Sequence, residues 1–268
     1  MPYSKLHSSK PHSDESHSSK PEPSNLVAHR GYQAKYPENT ALSLNKAIAT
    51  GARFIELDVQ FSADQLPIIY HDTDLQRVSG LPVTVFSTSR EELLTYPAYE
   101  PQRLGQRFKQ ETIAPLEIVV DMLRANPQVT AFIELKEESI EHCGRELIST
   151  SVQQILKPVA EQTVIMSFDY ALAISARESG WPWVGLVLKN WEDLYHPDVA
   201  RAQPDYIYTD HNIIPKDCHL DQIEILSDAT LVAYEVANAD LASRLLRQGV
   251  DMLETFDIEA MLNTELSV

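Results

Sequence analysis

Residues 26 to 72 read LVAHRGYQAKYPENTALSLNKAIATGARFIELDVQFSADQLPIIYHD, and three short apolar runs in this stretch decide the fold. Each run carries ionisable groups. His29 and Arg30 end the first, Glu56 and Asp58 sit two apart in the second, and His71 and Asp72 end the third. Side chains of a strand alternate between its faces, so Glu56 and Asp58 share one face. Phe54, Ile55, Leu57 and Val59 around them make the strand apolar on both sides, as in a buried parallel sheet. Two carboxylates on a buried face are costly unless a cation or proton neutralises them, and a hard divalent cation, Mg2+ or Ca2+, suits oxygen ligands. Between the first two runs, Asn39 or Thr40 caps a helix that ends near Gly51.

The link from Gln60 to Pro67 is too short for a crossover helix, so the second and third runs form a hairpin turning at about Ala63 to Gln65. Pairing outward from that turn puts Tyr70 opposite Asp58 and returns His71 to the carboxylates. Asp64-Gln65 lacks the glycine that tight hairpins favour, and a positive φ at Gln65 would cost ~1 kcal/mol, so the expected turn is a longer one.

Further out, strand-like runs recur at 130–135, 163–167, 183–188, 206–209, 230–236 and 251–255, with helical stretches at 115–125, 139–156, 170–179 and 240–248. This is α/β patterning. The count is nine strands, one more than a TIM (β/α)8 barrel holds, and the hairpin accounts for the extra one. The expected fold is therefore such a barrel, with a β-hairpin extension on strand 2 and a small insertion after it. Residues 25–268 form the barrel domain. Residues 72–114 form the insertion, a long connection with little sheet or helix period beyond a short helix at 89–94; three aromatics in it, Tyr96, Tyr99 and Phe108, either line a substrate entrance or pack the insertion down. Residues 1–24, rich in Ser, His, Lys and Pro, are expected to be a disordered tail.

The formal charge is −17, from 22 basic and 39 acidic residues, and residues 1–24 contribute nothing net. An acidic surface repels nucleic-acid phosphates and anionic bilayers, so neither is an expected partner. No apolar run reaches the length of a membrane span or a signal-peptide core, and Cys143 and Cys218 read as free thiols; both point to a cytoplasmic protein without membrane anchoring.

The run Phe132-Ile133-Glu134-Leu135-Lys136 again sets an acid and its second neighbour on one face. Beside Glu56 and Asp58, Glu134 offers a third oxygen ligand, and Lys136 offers a point charge for a phosphate. Arg30 has a planar fork matching two phosphate oxygens. His29 and His71, at the C-terminal ends of neighbouring strands, sit where barrel enzymes hold their acid and base.

His29-Arg30-Gly31, Pro37-Glu38-Asn39-Thr40, Glu56-x-Asp58 and His71-Asp72, followed by Ile113-Ala-Pro-Leu-Glu117, Ile133-Glu134-Leu135-Lys136 and Ser167-Phe168, resemble the glycerophosphodiester phosphodiesterase family over about residues 25 to 255. The resemblance implies a barrel hydrolase of lipid and glycerol metabolism, with residues 72–114 as an insertion over the barrel mouth. It would use one divalent cation on Glu56, Asp58 and Glu134, and would turn a small soluble phosphodiester into an alcohol and glycerol 3-phosphate. His29 and His71 would be catalytic, with Arg30, Lys136 and Tyr234 on the substrate. A lysophospholipase D-like or lyase activity is the alternative within the same chemistry, and a catalytically silent phosphodiester-binding barrel the alternative outside it. Two strings depart from the family pattern. Tyr234-Glu235-Val236-Ala237-Asn238 replaces a Trp-Thr-Val-Asn string, and Glu254-Thr255-Phe256 replaces an Ile-Thr-Asp string. Both are expected to alter the pocket wall and leave the acid, base and metal groups untouched. Strand alternation turns either Tyr234 or Glu235 inward, and an inward Glu235 would favour a cationic head group.

Overall fold

The computed structural model describes residues 18–19, 25–216, 218 and 220–267. Most of the expected tail lies outside them; Ser18–Ser19 pairs antiparallel with Leu266–Ser267.

Eight parallel strands close a barrel: β1 Leu26–Ala28, β2 Phe54–Phe61, β3 Thr130–Leu135, β4 Thr163–Ser167, β5 Trp183–Val187, β6 Tyr206–Asp210, β7 Thr230–Tyr234 and β8 Met252–Thr255. Each pairs with the next, and β8 returns to β1. The ninth run forms the expected return strand Pro67–Ile69, antiparallel to β2. The reason for it lies in strand lengths. β1 pairs with β2 only at Phe54 and Ile55, which leaves the same edge of β2 free further along, and Val59 to Phe61 take the return strand there. The register continues as expected, with the Tyr70 N–H donating to the Asp58 carbonyl at 3.0 Å. The turn spans Ser62 to Leu66, longer than two residues, and Gln65 takes φ 60°.

Alternation along the strands separates two cores. Val27, Phe132, Val164, Met166, Val187, Tyr208, Val232 and Met252 fill the barrel, while Leu26, Ile55, Leu57, Ile133, Ile165, Leu186, Leu231 and Leu253 pack outward under the helices. Gly185 makes the inner layer possible, since a Cβ there would lie 2.8 Å from the Cβ of Met166. The inner positions change character toward the strand C-termini, where Val27 gives way to His29, Phe54 to Glu56 and Asp58, Phe132 to Glu134, and Met252 to Glu254.

Helix α1, Ala41–Ala49, begins at Thr40, which caps it: the Ser43 N–H donates to Thr40 Oγ1 at 3.1 Å and the Thr40 N–H to Ser43 Oγ at 3.3 Å. Asn39, the other candidate cap, is used elsewhere. The stretch read as one helix over 139–156 is two, Glu137–Cys143 and Arg145–Leu156, broken at Gly144 with φ 83°. The helix expected from Pro115 starts at Ile118, because Ala114–Pro115 pairs with the return strand. The 72–114 insertion has a small core of its own, with Leu75, Val78, Val85, Leu93, Ala98 and Ile113 packing on Ile68 and Tyr70. It contains helices Gln76–Ser79, Arg90–Leu93 and Pro101–Leu104, of which only the middle one was legible from the sequence.

Candidate active site

The C-terminal ends of the barrel strands surround a cavity of about 210 Å³ lined by His29, Arg30, Glu56, His71, Glu134, Lys136, Met166, Phe168, Val187, Tyr208, Tyr234, Glu235 and Glu254. A wider groove of about 690 Å³ lies on the outside of the barrel around Arg177, Tyr195 and His196, away from these strand ends. Seven of the eight residues expected at the site line the smaller cavity, and the eighth, Asp58, groups with Glu56 and Glu134.

A left-handed turn after β1 builds the first part. Arg30 and Gly31 take φ 51° and 80°, and a Cβ on Gly31 would come within 2.6 Å of the Ser43 backbone, so only glycine fits against α1. The Arg30 carbonyl accepts from the Asn39 N–H at 3.1 Å and from Ser43 Oγ at 3.1 Å, and the Arg30 N–H donates to Glu56 Oε2 at 2.9 Å. The turn that presents His29 and Arg30 thus also fixes Glu56.

Glu38 and Asn39 orient the site, and the capping of α1 is left to Thr40. Asn39 Nδ2 donates to Asp58 Oδ2 at 2.8 Å, and the Asp58 N–H donates to Asn39 Oδ1 at 3.1 Å. Glu38, 2 % exposed, accepts from Arg30 Nη1 at 3.0 Å, from Gln33 Nε2 at 2.7 Å and from both Nη atoms of Arg77 at 2.7 Å. Burial alone would raise the Glu38 pKa, but the Arg77 and Arg30 guanidinium groups outweigh it and hold it at about 2.

One oxygen each from Glu56, Asp58 and Glu134 lies within 4.8 Å of the other two. Asp58 ion-pairs with Arg30 Nε at 3.0 Å and Lys136 Nζ at 3.4 Å, and Lys136 Nζ donates to Glu134 Oε1 at 2.7 Å. Burial disfavours the Asp58 anion, yet Arg30 and Lys136 hold it well below the usual carboxylate range. Burial and the charges of Asp58, Glu254 and Glu134 push the Glu56 carboxyl far up. Glu56 Oε1 is buried with no hydrogen-bond partner. An all-oxygen donor set with an orphaned buried oxygen fits a hard divalent cation, so these three residues could hold Mg2+ or Ca2+.

The hairpin delivers His71 to the same cavity. Its Nδ1 sits 2.6 Å from Asp72 Oδ1, its carbonyl accepts from Gln60 Nε2 at 2.8 Å, and Arg77 holds Asp72 through Nε and Nη2, both at 2.8 Å. Arg77 therefore links Asp72 to Glu38, and sequence reasoning missed it because a four-residue helix leaves no periodic signature. The three insertion aromatics stay out of the cavity: Phe108 packs on Tyr36 with ring centres 5.7 Å apart, and the Tyr96 hydroxyl bonds Glu92.

His29 has a different setting. It is 6 % exposed and stacks on Phe256 at 4.8 Å, and burial, with Arg30 beside it, lowers its pKa to about 3. Glu56, Glu254 and Glu235 place carboxylate oxygens 3.8, 3.8 and 3.9 Å from its ring nitrogens. The two departing strings therefore reach a catalytic candidate and not merely the wall, since Phe256, Glu254 and Glu235 all abut His29. Glu254, like Arg77, is a residue sequence reasoning missed. The signal was present in strand alternation, which sets it two past the inward Met252. The choice between Tyr234 and Glu235 also dissolves: β7 ends at Tyr234, alternation lapses beyond it, and both residues line the cavity.

This constellation can bind an anionic phosphodiester on Arg30 and Lys136 beside a divalent cation, with two imidazoles lining the same cavity. Among known proteins, a glycerophosphodiester phosphodiesterase of Caldanaerobacter subterraneus subsp. tengcongensis is 25 % identical over 252 residues, covering 89 % of this chain and 96 % of that one. One from Bacillus altitudinis is 26 % identical over 179 residues, 65 % of this chain and 69 % of the other. In three dimensions the chain superposes with TM-score 0.77 on an Oleispira antarctica phosphodiesterase solved with the product sn-glycerol-3-phosphate. That structure is 24 % identical and covers 88 % of this chain and 94 % of its own, a likeness of fold. A sequence model of the glycerophosphoryl diester phosphodiesterase family matches residues 29–259, which include every residue placed in the cavity. The chain belongs to the glycerophosphoryl diester phosphodiesterase family.

Proposed function

We propose that this chain hydrolyses a small glycerophosphodiester to an alcohol and glycerol 3-phosphate, with a divalent cation on Glu56, Asp58 and Glu134 and proton transfer by His29 and His71. The observation that carries the reading is the convergence of those three carboxylates, two cationic side chains and two histidines on one cavity at the strand C-termini. A divalent cation bound there supplies charge to polarise a phosphoryl oxygen. Arg30 and Lys136 bind the remaining phosphate oxygens, and Glu38 and Asn39 hold Arg30 and Asp58 in place.

His29, neutral at pH 7 because burial lowers it, takes the proton from the attacking water; where a neighbouring substrate hydroxyl attacks first, the cyclic phosphate it forms is opened by water in a second displacement of the same kind. The new oxygen–phosphorus bond forms as the bond to the leaving alcohol breaks, and His71, oriented by Asp72, gives the leaving oxygen its proton. Among the described residues no helix is long and apolar enough to cross a membrane, which is consistent with a soluble deacylated diester as substrate.

The test is turnover of glycerophosphocholine, glycerophosphoethanolamine and lysophosphatidylcholine with and without chelator. Release of glycerol 3-phosphate from the first two, lost in EDTA, is the expected result. Full activity of extensively dialysed protein in excess EDTA overturns the metal role. A clear preference for lysophosphatidylcholine overturns the substrate in favour of the phospholipase D-like alternative.

A further inference from the structure

The imidazole of His29 stands between carboxylates on opposite edges. Glu56 Oε2 lies 3.8 Å from Nε2, while Glu254 Oε2 and Glu235 Oε1 lie 3.8 and 3.9 Å from Nδ1. Phe256, stacked on the ring at 4.8 Å, fixes its plane, so each nitrogen keeps its side. Nε2 looks toward the carboxylate read as a metal ligand. Nδ1 looks toward β8, which carries Glu254, and the end of β7, which Glu235 follows.

Both His29 Nδ1 and Glu254 Oε1 are buried without a hydrogen-bond partner. Buried polar atoms left unpaired are costly, and here the ring nitrogen of one residue faces the carboxyl of the other. A gap of 3.8 Å is too long for a hydrogen bond, but a small rotation of the Glu254 side chain closes it, and hydrogen bonds between catalytic groups often tighten only once substrate is bound. Of the two acids on that edge Glu254 is the stronger partner, because it is 3 % exposed while the Glu235 side chain is 48 % exposed and its charge is weakened by water. His71 shows the same arrangement already closed, with Asp72 Oδ1 at 2.6 Å from its Nδ1, which leaves Nε2 for chemistry.

We propose that Glu254 is a positioning residue for His29: its carboxylate accepts the Nδ1–H, which holds the imidazole in the tautomer with a bare Nε2, and it balances the imidazolium that forms when that nitrogen takes a proton. The proton moves from the attacking water to Nε2, the Nδ1–H stays in place, and Glu254 is not itself protonated in the step. The inference rests on the reading of His29 as the proton acceptor. Burial and the charges of Glu134 and Asp58 push the Glu254 carboxyl up, and a divalent cation among those acids opposes the second cause, so the measurement is made in saturating Mg2+.

The test is nitrogen NMR on the full chain isotopically labelled at histidine, at neutral pH, with the His29 signals identified by their loss in His29→Gln. The wild type is expected to show His29 protonated at Nδ1 and bare at Nε2. Glu254→Leu keeps the bulk without an acceptor, and thermal melting checks its fold. It is expected to move the proton toward Nε2 and to lower kcat about 10-fold or more with KM unchanged, since the interaction strengthens only as charge develops on the ring. Glu235→Gln is expected to keep the wild-type tautomer. A wild-type His29 protonated at Nε2 overturns the proposal, and that spectrum decides it even where Glu254→Leu fails to fold. In a folded Glu254→Leu, either an unmoved tautomer or a near-normal kcat overturns it, as does a tautomer shift in Glu235→Gln alone. Absence of glycerophosphodiester turnover in a wild type that shows the expected tautomer overturns the proposed function instead, and leaves the contact between Glu254 and His29 standing.

Discussion

His71 and His29 face one cavity from opposite surroundings. Around His71 the charges are closed: its Nδ1 meets Asp72, Arg77 holds Asp72 and Glu38, and Glu38 holds Arg30, so each carboxylate there has a guanidinium or an imidazole on it. Its side chain is 31 % exposed. Around His29 the charges are open: its side chain is 8 % exposed, a phenyl ring covers it, and the nearest carboxylates stand 3.8 Å or more away. The closed side holds a shape, because opposing charges satisfied at hydrogen-bond distance have one low-energy arrangement. The open side holds binding capacity, because buried donors left without partners interact most strongly with what enters.

The largest effect that could break this contrast is on turnover. His29→Ala and His71→Ala should each lower kcat by ~10²-fold or more, since each removes a proton-transfer group. Steady-state kinetics with a folding check tests this, and near-normal turnover in either variant would return that histidine to a structural role. Metal binding should survive both changes, because the cation's ligands are Glu56, Asp58 and Glu134.

The next effect is on stability and tests the closed side. Glu38→Gln leaves Arg30 and Arg77 without their shared carboxylate and should cost about 3 kcal/mol at pH 7, measured by denaturant unfolding. The pH dependence has a definite sign. Glu38 is held at about 2, below its ordinary 4.5, so its contribution is full above about pH 4.5 and is lost as pH falls through 2. The stability gap between wild type and Glu38→Gln should therefore narrow across that window, and a gap independent of pH there would refute the ion-pair account.

Gly31 sits where the two sides join, and Gly31→Ala should destabilise by about 2 kcal/mol through its positive φ and the clash with the Ser43 backbone. Because the same turn fixes Glu56 through the Arg30 N–H, a folded Gly31→Ala should also bind metal more weakly. The smallest effect lies outside both sides. Gln65→Gly should stabilise by up to ~1 kcal/mol and leave kinetics unchanged, since φ 60° costs glycine nothing.

The barrel and the carboxylates on β2 and β3 were legible because they depend on alternation, a local property with a period of two. The hairpin was legible from the length of its connection. The closed network was not, since Arg77 belongs to a helix of one turn and reaches Glu38 across 39 residues of sequence. Glu254 shows a different failure. Its position was readable from β8, but the last strand was judged by the family string it lacked, not by the neighbours that barrel closure gives it. Only the β8–β1 pairing, with Glu254 opposite Val27 and Thr255 opposite Ala28, brings the last strand beside His29.

The hairpin sets different tolerances for insertion and deletion at its two ends. Its turn at Ser62 to Leu66 lies several residues of paired strand away from His71, so extra residues there loop out without moving the imidazole. One residue added between Ile69 and His71 would instead reverse which face each following side chain takes, and would turn the imidazole away from Asp58. Natural length variation in this family should therefore collect at the turn and be absent from the three residues before His71.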